Sequence, residues 1–190
     1  MKLCSRPDAF RPLPKPTFPR DARTLNRWER RLSFLSNEKG LLLQATLALR
    51  NTRPFYDLDA RAAIKGLLAK LLPVFILKLE ADRQPAGFYF FHAHLLLPIS
   101  FDVHPFLLAM KNRGARARRL TYRGKRLPAP FTLFRGAKTE GLPDLSGLDP
   151  LVDFRASTIA VLKNSPDLSR YLAKRTYVGG LSPILVHNLN

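Results

Sequence analysis

The stretch of sequence that decides the fold reads FHAHLLLP and spans residues 91–98. It places two histidines two residues apart in an apolar run of the kind that forms buried β-strands. Successive side chains of a strand point to opposite faces, so His92 and His94 share one face while their apolar neighbours share the other. Two imidazoles on one face can converge on one metal ion. The alternative is that one or both are partly buried and hydrogen-bonded to the backbone.

An upstream carboxylate can join these histidines. Residues 74–80 form a second apolar segment that ends in Glu80, and residues 81–87 are rich in turn formers. The sequence therefore predicts a hairpin of strands 74–80 and 88–99. A turn centred on Ala86 puts Glu80 directly opposite His92, with Cβ atoms about 5 Å apart. A turn centred one residue away moves Glu80 off that face, and the alternative for Glu80 is an exposed carboxylate at a strand end.

Composition points to a polyanionic partner. The 190 residues include 32 Lys and Arg against 14 Asp and Glu, which gives a net charge of +18. Such an excess favours nucleic acid first and an anionic membrane surface second. The sequence predicts a cytoplasmic protein, because no apolar run is long enough to span a membrane and no signal peptide opens the chain. Cys4 is the single cysteine, which excludes an internal disulfide and a cysteine-based zinc site.

Patterning divides the chain into a Pro-rich basic arm at residues 1–20 and one domain at residues 21–190. The domain is predicted to be α+β, with a central antiparallel sheet flanked by helices. A further strand is expected at 41–49 and a strand pair around Gly124 within 119–135. A loop is expected at 136–150. Helices are predicted at 21–38, at 58–72 with Asp57 as the N-cap, at 103–112, at 150–163 with Asp149-Pro150 as the start, and after Ser165.

A basic run follows the predicted helix at 103–112. On a chain this positive, the run is a candidate phosphate contact. The alternative is a solvated charged face. The residues assigned to nucleic-acid binding are Arg113, Arg116, Arg118 and Arg119.

The order of these motifs resembles the nuclease domain of rolling-circle replication initiators, in the His-hydrophobic-His single-strand endonuclease superfamily. The resemblance covers roughly residues 41–177 and includes a late helix with the segment YLAK at 171–174. It implies that His92 and His94 bind a divalent metal, Mn²⁺ or Mg²⁺, with Glu80 as a third ligand. It also implies that Tyr171 is the nucleophile and that Lys174 assists near the scissile phosphate.

The expected function is therefore a metal-dependent, sequence-specific DNA nickase and strand transferase. It would start rolling-circle replication or plasmid transfer on single-stranded or origin DNA through a phosphotyrosine intermediate. No Gly-rich phosphate loop of a helicase is present, so a helicase would be a separate partner.

Alternatives remain open on sequence alone. A non-catalytic RNA-binding protein, such as a ribosome-associated subunit, fits the same charge, and a transposase-type relative would share the chemistry. Tyr177 is a rival nucleophile to Tyr171. His104 and His187 are expected to be surface residues.

Overall fold

The computed structural model describes residues 22–83, 89–137, 141–173 and 184–189, without the side chains of Arg83 and Tyr89. The α-helices are α1 (Ala22–Leu35), α2 (Arg53–Tyr56), α3 (Leu58–Leu71), α4 (His104–Asn112) and α5 (Pro166–Ala173). The strands are β1 (Leu41–Leu49), β2 (Phe75–Arg83), β3 (Tyr89–Leu97), β4 (Arg116–Ala117), β5 (Thr121–Tyr122), β6 (Lys125–Arg126), β7 (Val152–Lys163) and β8 (Ile184–His187). No described helix has the length and apolarity needed to cross a membrane.

Six strands form one sheet in the order β4-β7-β1-β3-β2-β8, and β5 and β6 form a separate two-stranded ribbon. Neighbours in the large sheet are antiparallel except β4 and β7, which are parallel. The predicted α+β class with a central sheet is therefore confirmed. The sheet was predicted to be antiparallel, and it differs from that prediction in one pair, because β4 follows α4 and runs parallel to β7.

Helices cover both faces of the sheet. On one face, the odd-numbered residues of β1 and β3 pack with α3 and α4 into the main apolar core, which contains Leu43, Leu95 and Phe106. On the other face, α1 packs through Trp28 and Leu32 against a smaller cluster that includes α5. Polar residues share this second face, and the candidate site lies among them.

The predicted helix at 150–163 is wrong, because Val152–Lys163 is the strand β7. The interpretation of Asp149-Pro150 as a helix start accounts for the error. The segment carries Val, Thr and Ile residues that favour strands, and its pairing with β1 extends from Leu41↔Lys163 to Leu49↔Val152. Tertiary pairing therefore decides the conformation of this segment.

Other local predictions are confirmed. Asp57 caps α3, since its side chain accepts hydrogen bonds from the backbone N–H groups of Asp59 and Ala60. The strand pair around Gly124 is present as the short β5–β6 ribbon. The Pro-rich arm at 1–20 lies outside the described residues.

His104 differs from its prediction as a surface residue. It is 9% exposed and stacks on Phe134 with ring centroids 4.6 Å apart. The reason is that the first turn of α4 packs against the 3₁₀ segment Pro130–Phe134, a contact between segments far apart in sequence.

Candidate metal centre

Strand register brings the predicted ligands together. Glu80 pairs with His92 and Lys78 pairs with His94 between β2 and β3. The predicted position of Glu80 opposite His92 is confirmed. Because directly paired residues project to the same face, the carboxylate and both imidazoles point toward α5 rather than into the main core.

The nitrogen and oxygen atoms of this trio fit one cation. His92 Nε2 lies 3.0 Å from His94 Nε2, and Glu80 Oε2 lies 3.3 Å from His94 Nε2 and 3.8 Å from His92 Nε2. Two ligand atoms that each lie about 2.1 Å from one ion are at most about 4.2 Å apart. All three separations fall within that limit. The cluster Glu80–His92–His94 could therefore hold a metal ion.

The other ring nitrogens are held by neighbouring groups. His94 Nδ1 lies 3.2 Å from Thr46 Oγ1 and contacts the side-chain amide of Gln44, both on β1. His92 Nδ1 lies 3.3 Å from the carbonyl oxygen of Phe90, to which it can donate. Metal-binding histidines commonly donate their second ring N–H to an oxygen, as His92 can to Phe90 and His94 can to Thr46, which fixes the tautomer and orients the ring. The atom of Gln44 that contacts His94 is the amide nitrogen, so Gln44 accepts from His94 only when its amide is turned to present the oxygen. Both imidazoles thus present Nε2 to Glu80.

Tyr171 reaches the same carboxylate from α5. Its hydroxyl donates a hydrogen bond to Glu80 Oε2, and its ring centroid lies 6.0 Å from that of His94. The predicted nucleophile and the three predicted ligands are therefore in one site.

A buried lysine that the sequence prediction did not include joins them. Lys78 Nζ lies 2.7 Å from Glu80 Oε1 and 3.4 Å from the centroid of the Tyr171 ring. It also donates to the carbonyl oxygen of Tyr171 at 2.8 Å. This ammonium group ties the α5 backbone to the sheet and neutralises the carboxylate.

The packing of these side chains shifts the pKa values of Glu80, Tyr171 and His92. Burial alone would raise the pKa of Glu80, but hydrogen bonds and charge from His94, Lys78 and Tyr171 outweigh it and lower that pKa to about 2. Burial, followed by the charge and hydrogen bond of Glu80, raises the pKa of Tyr171 above its ordinary value. Burial, followed by the proximity of His94, lowers the pKa of His92 and favours the neutral imidazole that a metal requires.

The sequence pattern could have identified Gln44, Thr46 and Lys78, the site residues that the prediction did not include. Gln44 and Thr46 are the only polar residues of β1, and they are two residues apart, as the histidines are. Lys78 precedes Glu80 by two residues in an otherwise apolar segment. Polar residues at a spacing of two in buried strands therefore mark this face. Lys174 and Tyr177, the predicted helper and the rival tyrosine, lie outside the described residues.

The predicted phosphate-contacting arginines lie apart from the trio. Arg113 is engaged by Asp149 and lies 3.7 Å from Asp144. Arg116, Arg118 and Arg119 are exposed.

The strand register places Arg116 on the same sheet face as the site. Arg116 pairs with Thr158, Thr158 with Thr46, and Thr46 with His94. These residues form a row on one sheet face, and three strand spacings place the backbone of Arg116 roughly 14 Å from that of His94.

The two remaining histidines do not extend the trio. His104 lies on α4, across the sheet from the site. His187 pairs with Phe75, whose side chain is in the main core, so it is on the opposite face from Glu80.

Comparisons with known proteins identify no relative: no protein-family model, curated protein or solved structure matches this chain. The interpretation of the site therefore depends on the chain's own residues and their geometry.

Proposed function

We propose that this protein is a metal-dependent endonuclease that nicks single-stranded DNA through a covalent bond to Tyr171. Its role would be to start rolling-circle replication or plasmid transfer at origin DNA, with a helicase as a separate partner. The supporting observation is that the Tyr171 hydroxyl donates to Glu80 Oε2, the same oxygen that faces both histidines. Tyr171 therefore lies within hydrogen-bonding distance of the carboxylate oxygen that would face the cation.

Glu80, His92 and His94 would hold the cation, and Mn²⁺ or Mg²⁺ is the cation we propose. The carboxylate suits both ions, while two imidazoles favour the transition metal. When bound, a divalent cation would supply positive charge that neutralises the scissile phosphate and favours the tyrosine phenolate. Gln44 and Thr46 would keep His94 oriented for this role.

The covalent step is a substitution at phosphorus. Tyr171 Oη forms a bond to the scissile phosphorus, its proton passes to solvent water, and the bond between phosphorus and the 3′ oxygen breaks. The departing oxygen takes a proton from water and becomes a 3′ hydroxyl. The phosphotyrosine keeps the DNA end attached and stores the bond for rejoining.

Lys78 would position the nucleophile. Its contacts with the Tyr171 carbonyl and with Glu80 Oε1 hold the helix and the carboxylate in one arrangement. Because the resting hydroxyl is hydrogen-bonded to an ionised carboxylate, the phenol stays protonated until DNA and cation are both present. The Tyr171 phenolate, which is the reactive nucleophile, would therefore form only when its DNA substrate is bound.

The competing explanation is a structural polar network in a non-catalytic RNA-binding protein. Lys78, Glu80 and Tyr171 satisfy one another, which buried polar groups require in any protein. The two explanations differ in what Tyr171→Phe changes. A structural network loses only stability, whereas the proposed enzyme loses covalent chemistry.

The test is adduct formation on DNA of high sequence complexity, because the target sequence is unknown. The protein is incubated with long circular single-stranded DNA and Mn²⁺ or Mg²⁺, and denaturing gels are probed for linear DNA that carries protein. Wild type should form the adduct, and Tyr171→Phe should not. The matched control is Tyr56→Phe, which removes a hydroxyl from a tyrosine that is 51% exposed and should leave the adduct intact.

Metal dependence completes the experiment. Chelation should abolish the adduct, as should His94→Ala. If wild-type protein forms no adduct with either metal, while binding RNA tightly, the nickase proposal is wrong and the RNA-binding explanation accounts better for the chain.

A further inference from the structure

Half of the chain's net charge lies in one acid-free stretch. Residues 103–137 contain nine Lys and Arg and no Asp or Glu, against a net charge of +18 for the whole protein. The candidate metal centre uses none of these residues. The stretch includes the β5–β6 ribbon, which lies outside the large sheet.

The ribbon is a tight hairpin. Thr121 pairs with Arg126, Tyr122 pairs with Lys125, and the N–H of Leu127 donates to the carbonyl of Leu120 at 2.8 Å. Leu127 also packs against the main core and so anchors the base of the hairpin.

The turn residues have positive φ, with values of 48° at Arg123 and 76° at Gly124. Two successive residues of positive φ are typical of a type I′ turn, which favours Asn-Gly. Arginine at the first position is conformationally unfavourable compared with asparagine. A strained residue of this kind suggests that its side chain is needed, and here the side chain carries a positive charge to the tip.

Charge also lies on both sides of the ribbon. Arg126 and Lys125 are exposed, and because they are adjacent on β6 they project to opposite faces. Arg123 adds a cation at the tip, where its guanidinium carbon lies 5.4 Å from the centroid of the Tyr122 ring. A flat surface such as a membrane would contact only one of these faces, whereas a groove with two phosphate walls would contact both.

We propose that the β5–β6 hairpin binds double-stranded DNA by entering its major groove. That groove is about 12 Å wide in B-form DNA and admits a two-stranded ribbon. The major groove of A-form RNA is too narrow for side chains to read, so duplex RNA should be a poor ligand. This inference does not depend on the proposed nickase activity, because it involves no residue of the metal site.

The test measures DNA binding without catalysis. A fluorescent 20-base-pair duplex is titrated in the presence of a metal chelator at several salt concentrations, with wild type and a variant carrying Arg123→Asn, Lys125→Gln and Arg126→Gln. Each cation at a phosphate contributes about 0.9 to the slope of log affinity against log salt. The triple variant should therefore lower that slope by about 2.7.

The matched control removes the same charge elsewhere. Lys39→Gln, Lys65→Gln and Lys70→Gln alter the loop before β1 and helix α3, which lies across the sheet from the metal site. This control should lower the slope by less than about 1. Equal losses in the two triple variants would overturn the proposal, because the effect would then be one of net charge.

Two further measurements identify the type of nucleic acid that the hairpin binds and control for misfolding of the triple variant. The same variants are titrated with a single strand and with duplex RNA of the same sequence, and a loss on either as large as on duplex DNA would overturn the proposal. Arg123→Asn alone suits the turn better than arginine while removing one cation. It should keep or raise thermal stability and lower the duplex-DNA slope by about 0.9, and an unchanged slope in this folded variant would also overturn the proposal.

Discussion

Glu80→Gln should destabilise the folded protein at neutral pH. The side chain is 16% exposed and accepts from Tyr171 while paired with Lys78. The pKa of Glu80 falls from the ordinary 4.5 to about 2 in the folded protein. A difference of one in pKa between the folded and unfolded states corresponds to about 1.4 kcal/mol. The ionised group thus contributes about 3–4 kcal/mol to the free energy of unfolding. The variant also leaves the ammonium of Lys78 buried without its counter-charge, which acts in the same direction.

The contribution has a defined pH window. A carboxyl group whose pKa is lower in the folded state stabilises the protein above its unfolded pKa, and this stabilisation is lost as pH falls toward the folded pKa. The difference between wild type and Glu80→Gln should therefore be constant above about pH 5. It should then shrink by about 1.4 kcal/mol per unit between 4.5 and about 2.

Urea unfolding followed by circular dichroism measures this difference at pH 7 and at intervals down to pH 3. The control is Glu38→Gln, which removes the same charge from an exposed residue after α1 and should change stability by less than about 0.5 kcal/mol. If Glu80→Gln is as stable as this control at pH 7, the network of Glu80, Lys78 and Tyr171 does not stabilise the ionised carboxylate, and the electrostatic reasoning is refuted.

Three more outcomes are expected. His92→Ala and His94→Ala should each abolish stoichiometric Mn²⁺ binding in calorimetry with an unchanged circular dichroism spectrum, and binding equal to wild type would contradict the ligand assignment. Gln44→Leu should weaken Mn²⁺ affinity about tenfold in the same titration, because His94 loses an orienting partner, and unchanged affinity would show that the contact does not orient the ring. Neutralising three exposed arginines should lower the salt slope of single-stranded DNA binding by about 2, at about 0.7 for each phosphate contact, and an unchanged slope would remove them from the interface. These arginines are Arg116, Arg118 and Arg119.

The central hairpin of the site is predictable because its signals are local. The spacing of His92 and His94 fixes their shared face, whereas the position of Glu80 depends on the hairpin register, for which the sequence allows more than one turn centre. Such information resides in residues close together in the sequence. The shared face of the two histidines therefore follows from local sequence, and the structure selects the register that places Glu80 with them.

Features of the fold that depend on contacts between distant segments are not predictable from local sequence. An apparent cap at Asp149 favours a helix over the strand-forming composition of β7, and the pairing of β7 with β1 spans more than 100 residues of sequence. The approach of Tyr171 to Glu80 depends on how α5 packs on the sheet, and 91 residues separate the two. The role of Lys78 follows from the same packing. The contacts of Lys78 with α5 can be identified only from the folded structure, because the helix follows the strand by many residues.

The most direct measurement of the central claim is to identify the residue that carries DNA. Protein is incubated with single-stranded DNA and Mn²⁺, the DNA is digested to a nucleotide remnant, and tryptic peptides are sequenced by mass spectrometry. Trypsin cleaves after Arg170 and Lys174, which isolates Tyr171 in the peptide YLAK, while Tyr177 falls in the peptide that begins at Thr176. A remnant on YLAK is the predicted result. A remnant on the Thr176 peptide, or on neither peptide, would contradict the assignment of Tyr171 as the nucleophile.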